Sequence, residues 1–196
     1  MTILLCSTSM EATALETIAR LTARERLLIA AARGSIMDEA PDKLAALADA
    51  IRALDGAGAP YAVVGGVAVG LRSGVPRATL DTDIAVRSTV PPTSIADALT
   101  AAGFRLTGTF AHSLNFRHRS GEPVQIVVDP AFDLMIDRAE TLDPTGIRIR
   151  VVTTEDLIAM KERAASDPAR RRSKALRDQA DIALLRGDVP DPDEGW

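Results

Sequence analysis

One stretch constrains this chain more than any other. It reads "YAVVGGVAVGLRSGVPRATLDTDIAV". A short apolar run, Tyr61 to Val64, meets the pair Gly65-Gly66. A second apolar run then opens on Asp81 and Asp83. Two glycines after a buried strand predict a tight turn into a short helix, Val67 to Ser73, which "GVP" breaks. The second run predicts a strand over Leu80 to Val86. Alternate residues of a strand share a face, so Asp81 and Asp83 should project together. Two unpaired carboxylates so placed repel and raise each other's pKa.

A divalent cation removes that repulsion. Hard oxygen ligands suit Mg²⁺ (or Mn²⁺), which commonly takes one or two carboxylates plus substrate phosphates. The glycine turn points the same way. It lets backbone approach a phosphate, and the helix that follows offers its N-terminus to the anion. The dinucleotide fingerprint GxGxxG fails because position 67 is Val, and the GK[ST] of a Walker A loop is absent.

The rest of the chain reads as helices and strands around one sheet. Leu15, Ile18, Leu21 and Leu28 predict a helix over 11–33, ended by Gly34. Leu44, Leu47, Ile51 and Leu54 mark a second helix after Pro41. "PPTSIADALTAAG" predicts a third. "FRLTGTF", "SLNFRH" and "VQIVVD" predict three strands, the last two joined by a hairpin at "RSGEP". Ile147 to Val152 is a further strand. It runs into "TTEDLIAMKERAA", a helix capped by Thr153 or Thr154. "SKALRDQADIALLRG" is the last helix, with Ser173 at its start, and the acidic tail is expected to be loose.

Composition excludes several classes. A net charge of −4 argues against a generally basic nucleic-acid coat. With one Trp, one Tyr and four Phe, an extended stacking platform for single strands is not expected. One cysteine and two histidines exclude an internal disulfide and a Cys/His zinc site. The N-terminus is too short in apolar residues to span a bilayer, so a cytoplasmic protein with no membrane partner is expected.

The pairing of GG with DxD, preceded by Arg77 and Thr79, resembles the nucleotidyltransferase superfamily of DNA polymerase beta and the kanamycin nucleotidyltransferases. More closely, it resembles the minimal nucleotidyltransferases and the AbiEii-type toxins of bacterial toxin–antitoxin pairs. "TTEDLIAMKERAA" and "SKALRDQADIALL" resemble that family's C-terminal segment. The resemblance spans Leu44 to Leu185. It implies an α+β fold: a polymerase-beta-type core of mixed sheet flanked by helices, over 41–153. A helical extension over 1–40, C-terminal helices over 154–187 and a tail over 188–196 complete the expected organisation.

By that resemblance Asp81 and Asp83 bind Mg²⁺ and are catalytic together with Lys161. Gly65, Gly66, Arg77 and Asp178 bind the nucleotide. The implied reaction moves a nucleoside monophosphate from an NTP to an acceptor hydroxyl, with pyrophosphate leaving. The implied partners are an NTP, tRNA or other RNA, a cognate antitoxin and a second copy of the chain. A small-molecule acceptor of the aminoglycoside type stays open.

The family's third carboxylate is expected on "PVQIVVD", where this chain carries Gln125. Glutamine can offer a carbonyl oxygen to a metal but cannot act as a base. Asp129, about 13 Å further along the strand, or Asp133 could take the role. Otherwise the chain works with two carboxylates, or is a catalytically impaired nucleotide- or partner-binding relative. Each flanking group also has an ordinary reading. Arg77 could pair with a surface acid, Lys161 could snorkel from an amphipathic helix, and Asp178 and Asp181 could form a solvated face. Residues 161–177 hold seven bases against two acids, read either as a solvated loop or as a landing site for RNA or NTP phosphates.

Overall fold

The structure is a computed structural model that describes residues 3–35, 40–144 and 146–189, with side chains from residue 14 onward. Most of the tail expected to be loose lies outside the described residues. No helix among those described is long and apolar enough to cross a membrane.

Seven strands form one mixed sheet flanked by helices, in the order β3-β4-β5-β2-β1-β7-β6. The centre is β1 (Tyr61–Val64), β2 (Thr82–Val86), β5 (Pro123–Val127) and β7 (Ile149–Val151). β1 runs antiparallel to β2 and parallel to β7, and β2 runs parallel to β5. β3 (Phe104–Phe110) and β4 (Ser113–His118) extend the sheet beyond β5 as antiparallel strands, and the expected β4–β5 hairpin is present. Every residue of β1 is buried, as a continuous apolar run at the centre of a sheet requires. On β4 and β5 the pattern alternates. Leu114, Phe116, Val124 and Ile126 face the core, while Asn115, Arg117 and Gln125 face the other way.

Local chemistry explains the helix starts. Asp42 caps α2 (Lys43–Gly56) by accepting the Ala45 N–H at 2.9 Å. Thr153 caps α6 (Thr154–Ala165) through the Asp156 N–H, with Glu155 and Asp156 favourably placed in the first turn. α7 (Arg172–Leu185) starts one residue before Ser173, and Ser173 does not cap it. α3 (Gly65–Ser73) begins at Gly65 itself, earlier than expected, and Gly65 makes the turn out of β1 in the left-handed region at φ 67°. β1, β3, β4, β5, β7 and α4 (Pro92–Ala101) follow the pattern read from sequence, whereas β2 starts at Thr82, later than the expected Leu80, and leaves Asp81 just before the strand. The helix α5 (Asp133–Arg138) and the three-residue strand β6 (Glu140–Leu142) had no expectation.

The first helix departs most. α1 spans Ile3–Ala32, longer than its apolar pattern. Leu15 and Ile18 are fully buried, but Leu21 and Leu28 are exposed. Thr22 turns inward in place of Leu21 and is buried. The docked face is therefore Leu15, Ile18, Thr22 and Arg26, a helical stripe that changes from apolar to hydrogen-bonding as it reaches the loop before β2.

Candidate active site

The β1–α3 elbow and the start of β2 come together because β1 and β2 are antiparallel neighbours, with Val64 opposite Asp83. Gly65 has room for no side chain, since a Cβ there would overlap the Asp83 carboxylate. At Gly66 a Cβ would lie 2.5 Å from Thr79 Oγ1. The two glycines thus let the aspartate-bearing segment lie against the elbow.

A cavity of about 240 Å³ opens at this junction. Gly65, Gly66, Asp81, Asp83 and Gln125 line it, together with Thr79, Asp178 and five cations: Arg77, Lys161, Arg170, Lys174 and Arg177. Asp81 precedes the strand and is exposed, whereas Asp83 is half-buried within it. Burial pushes the Asp83 carboxyl up to about 7, and the charge of Asp81 adds to the shift against the opposing pull of Lys161, Lys43 and Lys174. A raised carboxyl beside a second acid is the electrostatic condition that a bound cation relieves. Two carboxylates fit an ion that completes its shell with water and phosphate. Among the described residues no cluster of three Asp, Glu, His or Cys could hold a metal.

The flanking charges form a chain from loop to C-terminal helices. Arg77 grips Asp181 with two parallel hydrogen bonds, Nε to Oδ1 at 2.9 Å and Nη2 to Oδ2 at 2.8 Å. Lys161 Nζ lies 2.8 Å from Asp181 Oδ2 and 2.9 Å from Asp178 Oδ1. Arg170 Nε donates to Asp178 Oδ2 at 2.8 Å. Asp178 and Asp181 are buried, so they are not a solvated face, and Lys161 is held by carboxylates rather than extended to solvent. Burial works to raise the Asp178 carboxyl, but hydrogen bonds and charge from Lys161 and Arg170 outweigh it and hold the group below the usual carboxylate range. Of the basic run, Arg170, Lys174 and Arg177 line the cavity, while Arg163, Arg171 and Arg172 are exposed.

Gln125 sits opposite Asp83 in the β2–β5 ladder and enters the cavity. Its Nε2 donates to Asn115 Oδ1 at 3.2 Å, which leaves its own carbonyl oxygen on offer. The alternatives raised from sequence for a third carboxylate fail on geometry. β5 ends at Val127, and Asp129 caps a 3-10 turn by accepting the Ala131 N–H. Asp133 is held by Ser88, whose N–H and hydroxyl both donate to it. Neither lines the cavity. His112 stands 3.6 Å from Asp129, and His118 is buried against Asp49 and Ser120.

Sequence reasoning missed the support behind this site. Buried Lys43 donates to Asp81 O and to Thr82 Oγ1, each at 3.1 Å, and pairs with Glu122 at 2.5 Å. Burial lowers the Lys43 pKa and raises that of Glu122, and their pairing opposes both shifts. From α1, Arg26 reaches Glu122 Oε2 at 3.1 Å and bonds the Leu80 carbonyl. Thr22 Oγ1 accepts the Thr79 N–H at 3.1 Å and lies 3.2 Å from the Thr79 carbonyl oxygen. The backbone from Thr79 to Asp81 is thereby fixed from behind. The only local clue was Asp42 as a cap placing Lys43 at a helix start, and that does not reveal a partner.

The sequence model described as "Nucleotidyl transferase AbiEii toxin, Type IV TA system" matches residues 45–194. The chain belongs to this family. It is an enzyme of the nucleotidyltransferase type, and α1 and Lys43 lie outside the matched residues. No curated protein matches the chain. Among solved structures, an antigenic nucleotidyltransferase-like protein from Paracoccidioides brasiliensis is 26% identical, with a TM-score of 0.50 over 76% of this chain and 79% of that one. The lincosamide antibiotic adenylyltransferase LnuA, lincomycin-bound, is 13% identical, with a TM-score of 0.52 over 71% of this chain and 93% of that one. A putative nucleotidyltransferase from H. pylori is 15% identical, with a TM-score of 0.51 over 72% and 65%. The last two likenesses carry the fold alone. The AbiEii-family fold is thus the polymerase-beta-type arrangement expected from GG and DxD.

Proposed function

We propose that this AbiEii-family chain transfers a nucleoside monophosphate from an NTP to an acceptor hydroxyl, dependent on Mg²⁺ or Mn²⁺. The leading acceptor is the end of a tRNA or other RNA, within a toxin–antitoxin pair. One observation carries the reading: Gly65, Gly66, Asp81 and Asp83 line a single cavity ringed by five cations. Five positive side chains against three carboxylates suit a triphosphate.

In this reading Asp81 and Asp83 hold the cation. When bound, it stabilises the attacking and leaving oxygens of an in-line displacement. The elbow glycines let phosphate oxygens approach the first turn of α3. Lys161 and Arg170, set by Asp178, and Arg77, set by Asp181, present fixed positive charge to the phosphates. The acceptor oxygen bonds to the α-phosphorus, the bond to the pyrophosphate oxygen breaks, and pyrophosphate leaves. Gln125 offers an oxygen that orients the attacking hydroxyl, but it cannot take the proton, which passes to solvent.

The test is incubation with α-labelled NTPs, Mg²⁺ and total RNA, with each NTP in turn. Label should move to RNA, and Asp81→Ala should abolish transfer. Transfer to an aminoglycoside with none to RNA would replace the acceptor, and equal transfer by Asp81→Ala would reject the mechanism.

A further inference from the structure

The same sheet face continues past the candidate active site. The β-ladders place Asp83, Gln125 and Asn115 side by side across β2, β5 and β4, all facing the same way. One step along, Arg117 on β4 stands opposite Arg105 on the edge strand β3. Both arginines are exposed, and among the described residues neither makes an ion pair. A second cavity, of about 210 Å³, lies here, and its lining includes Asp81, Gln125, Asn115, Arg117 and Thr107. It shares Asp81 and Gln125 with the cation-ringed cavity. Beyond the bulge at Thr107, Gly108 stands opposite Asn115, and its missing side chain lets the Phe110 ring lie over the strand. A Cβ on Gly108 would be 3.0 Å from that ring, and Phe110 is 60% exposed.

We propose that this β3–β4–β5 face is the acceptor-strand site and binds the single-stranded 3′ end of an RNA. The proposal rests on the nucleotidyltransferase reading above and locates its acceptor. Charge complementarity selects the occupant. Strands lie about 4.8 Å apart, so Arg117 and Arg105 stand roughly 10 and 14 Å from the aspartate strand. They are placed to meet phosphates behind a terminal nucleotide whose hydroxyl reaches Gln125. The amides of Asn115 and Gln125 can exchange hydrogen bonds with 2′-hydroxyls and base edges, which favours RNA over DNA. Phe110 supplies one stacking surface, not the row of aromatics that composition already argued against. The face continues directly from the cavity that holds the NTP in this reading, so the attacking oxygen arrives beside Asp81 from the side away from Lys161.

Direct binding tests this without turnover. The probe is a labelled single-stranded oligoribonucleotide read by fluorescence anisotropy across a salt series, with Mg²⁺–NTP affinity measured in parallel on the same variants. All three target side chains are exposed, so folding is not at risk. Arg105→Gln with Arg117→Gln should lower the salt slope by about 1.4, the value for two lost single-strand phosphate contacts. Phe110→Ala should weaken binding by roughly tenfold. NTP affinity should hold in both, and Arg52→Gln, on α2 and outside both cavities, should change neither readout. The matching oligodeoxyribonucleotide should bind more weakly. An unchanged slope in the double variant, no measurable RNA binding, or equal binding of DNA each overturns the proposal. Loss of NTP binding in Asp81→Ala is a separate readout. Its absence would fail the nucleotidyltransferase reading while the RNA result still stands or falls by itself.

Discussion

The ammonium of Lys43 lies 3.1 Å from the backbone carbonyl oxygen of Asp81, and it is fully buried against Glu122. A charge at the start of α2 thus holds the backbone that carries a candidate metal ligand. Removing Lys43 alone would leave the buried Glu122 carboxylate with Arg26 as its remaining cationic partner among the described residues. Breaking a buried pair from one side typically costs about 3–5 kcal/mol. Lys43→Met should therefore lower denaturant stability, by less than that full cost because Arg26 still faces Glu122. Adding Glu122→Gln should recover part of it, because the under-compensated buried carboxylate is gone. Equal stability of Lys43→Met and the native chain would remove this pair from any supporting role.

α1 should matter to the site although it lies outside the family match. Thr22→Val keeps the side-chain volume and deletes the acceptor for the Thr79 N–H. An unpaired buried amide costs about 1–3 kcal/mol. The melting temperature should fall, and Mg²⁺–NTP affinity should fall with it, because Thr79 also lines the cavity. Thr22→Ser should restore both. Reduced stability with unchanged nucleotide affinity would confine Thr22 to packing.

Asp83 sets a pH dependence whose sign follows from its raised pKa. In the metal-free fold the carboxyl titrates at about 7 instead of its ordinary 3.8, chiefly because burial disfavours its charge. The folded state therefore holds a proton that the unfolded chain releases. The Asp83 contribution to stability is present below pH 4 and lost as pH rises towards 7. Mg²⁺ should add stability increasingly across that same window and release protons as it binds. Thermal melts from pH 4 to 8, with and without Mg²⁺, read both effects. In Asp83→Asn the metal-free slope and the Mg²⁺ response should both flatten. A native protein whose Mg²⁺ response does not grow with pH would contradict the assignment of Asp83 as a ligand.

The parts of this molecule that were legible in the sequence are those decided within a few residues. The β1–α3 elbow announces itself because two glycines interrupt an apolar run. Asp81 and Asp83 stand out because like charges open a buried strand. The cap at Thr153 is equally local. What escaped is set by distant pairing. Arg77 and Asp181 are 104 residues apart, and Lys43 and Glu122 are 79 apart. Nothing near Asp181 distinguishes it from an acid on a solvated helix until α7 packs beside α3. Thr22 takes over the expected α1 face from Leu21 onward for the same reason, since its partner is a loop backbone group rather than another apolar side chain. β6 was missed because three residues carry no usable alternation.

Gln125 gives the sharpest chemical test. It occupies the strand position opposite Asp83, and neither Asp129 nor Asp133 lines the cavity in its place. Gln125→Asp adds a carboxylate to a site that already raises the pKa of one acid. Two consequences should separate cleanly. At pH 8, above the value of about 7 at which Asp83 titrates in the native chain, the extra carboxylate should tighten divalent cation binding by roughly tenfold or more, read by calorimetry with Mn²⁺ and Mg²⁺. Turnover should also rise, since general-base assistance typically contributes about 10²–10⁴-fold, and the pH–rate profile should gain an acidic limb that the native enzyme lacks. Gln125→Ala should instead lower turnover while leaving cation affinity near native, because only an orienting oxygen is lost. Tighter cation binding without faster turnover would mean that proton removal does not limit the native reaction. Unchanged binding and unchanged turnover together would place Gln125 outside the reacting centre.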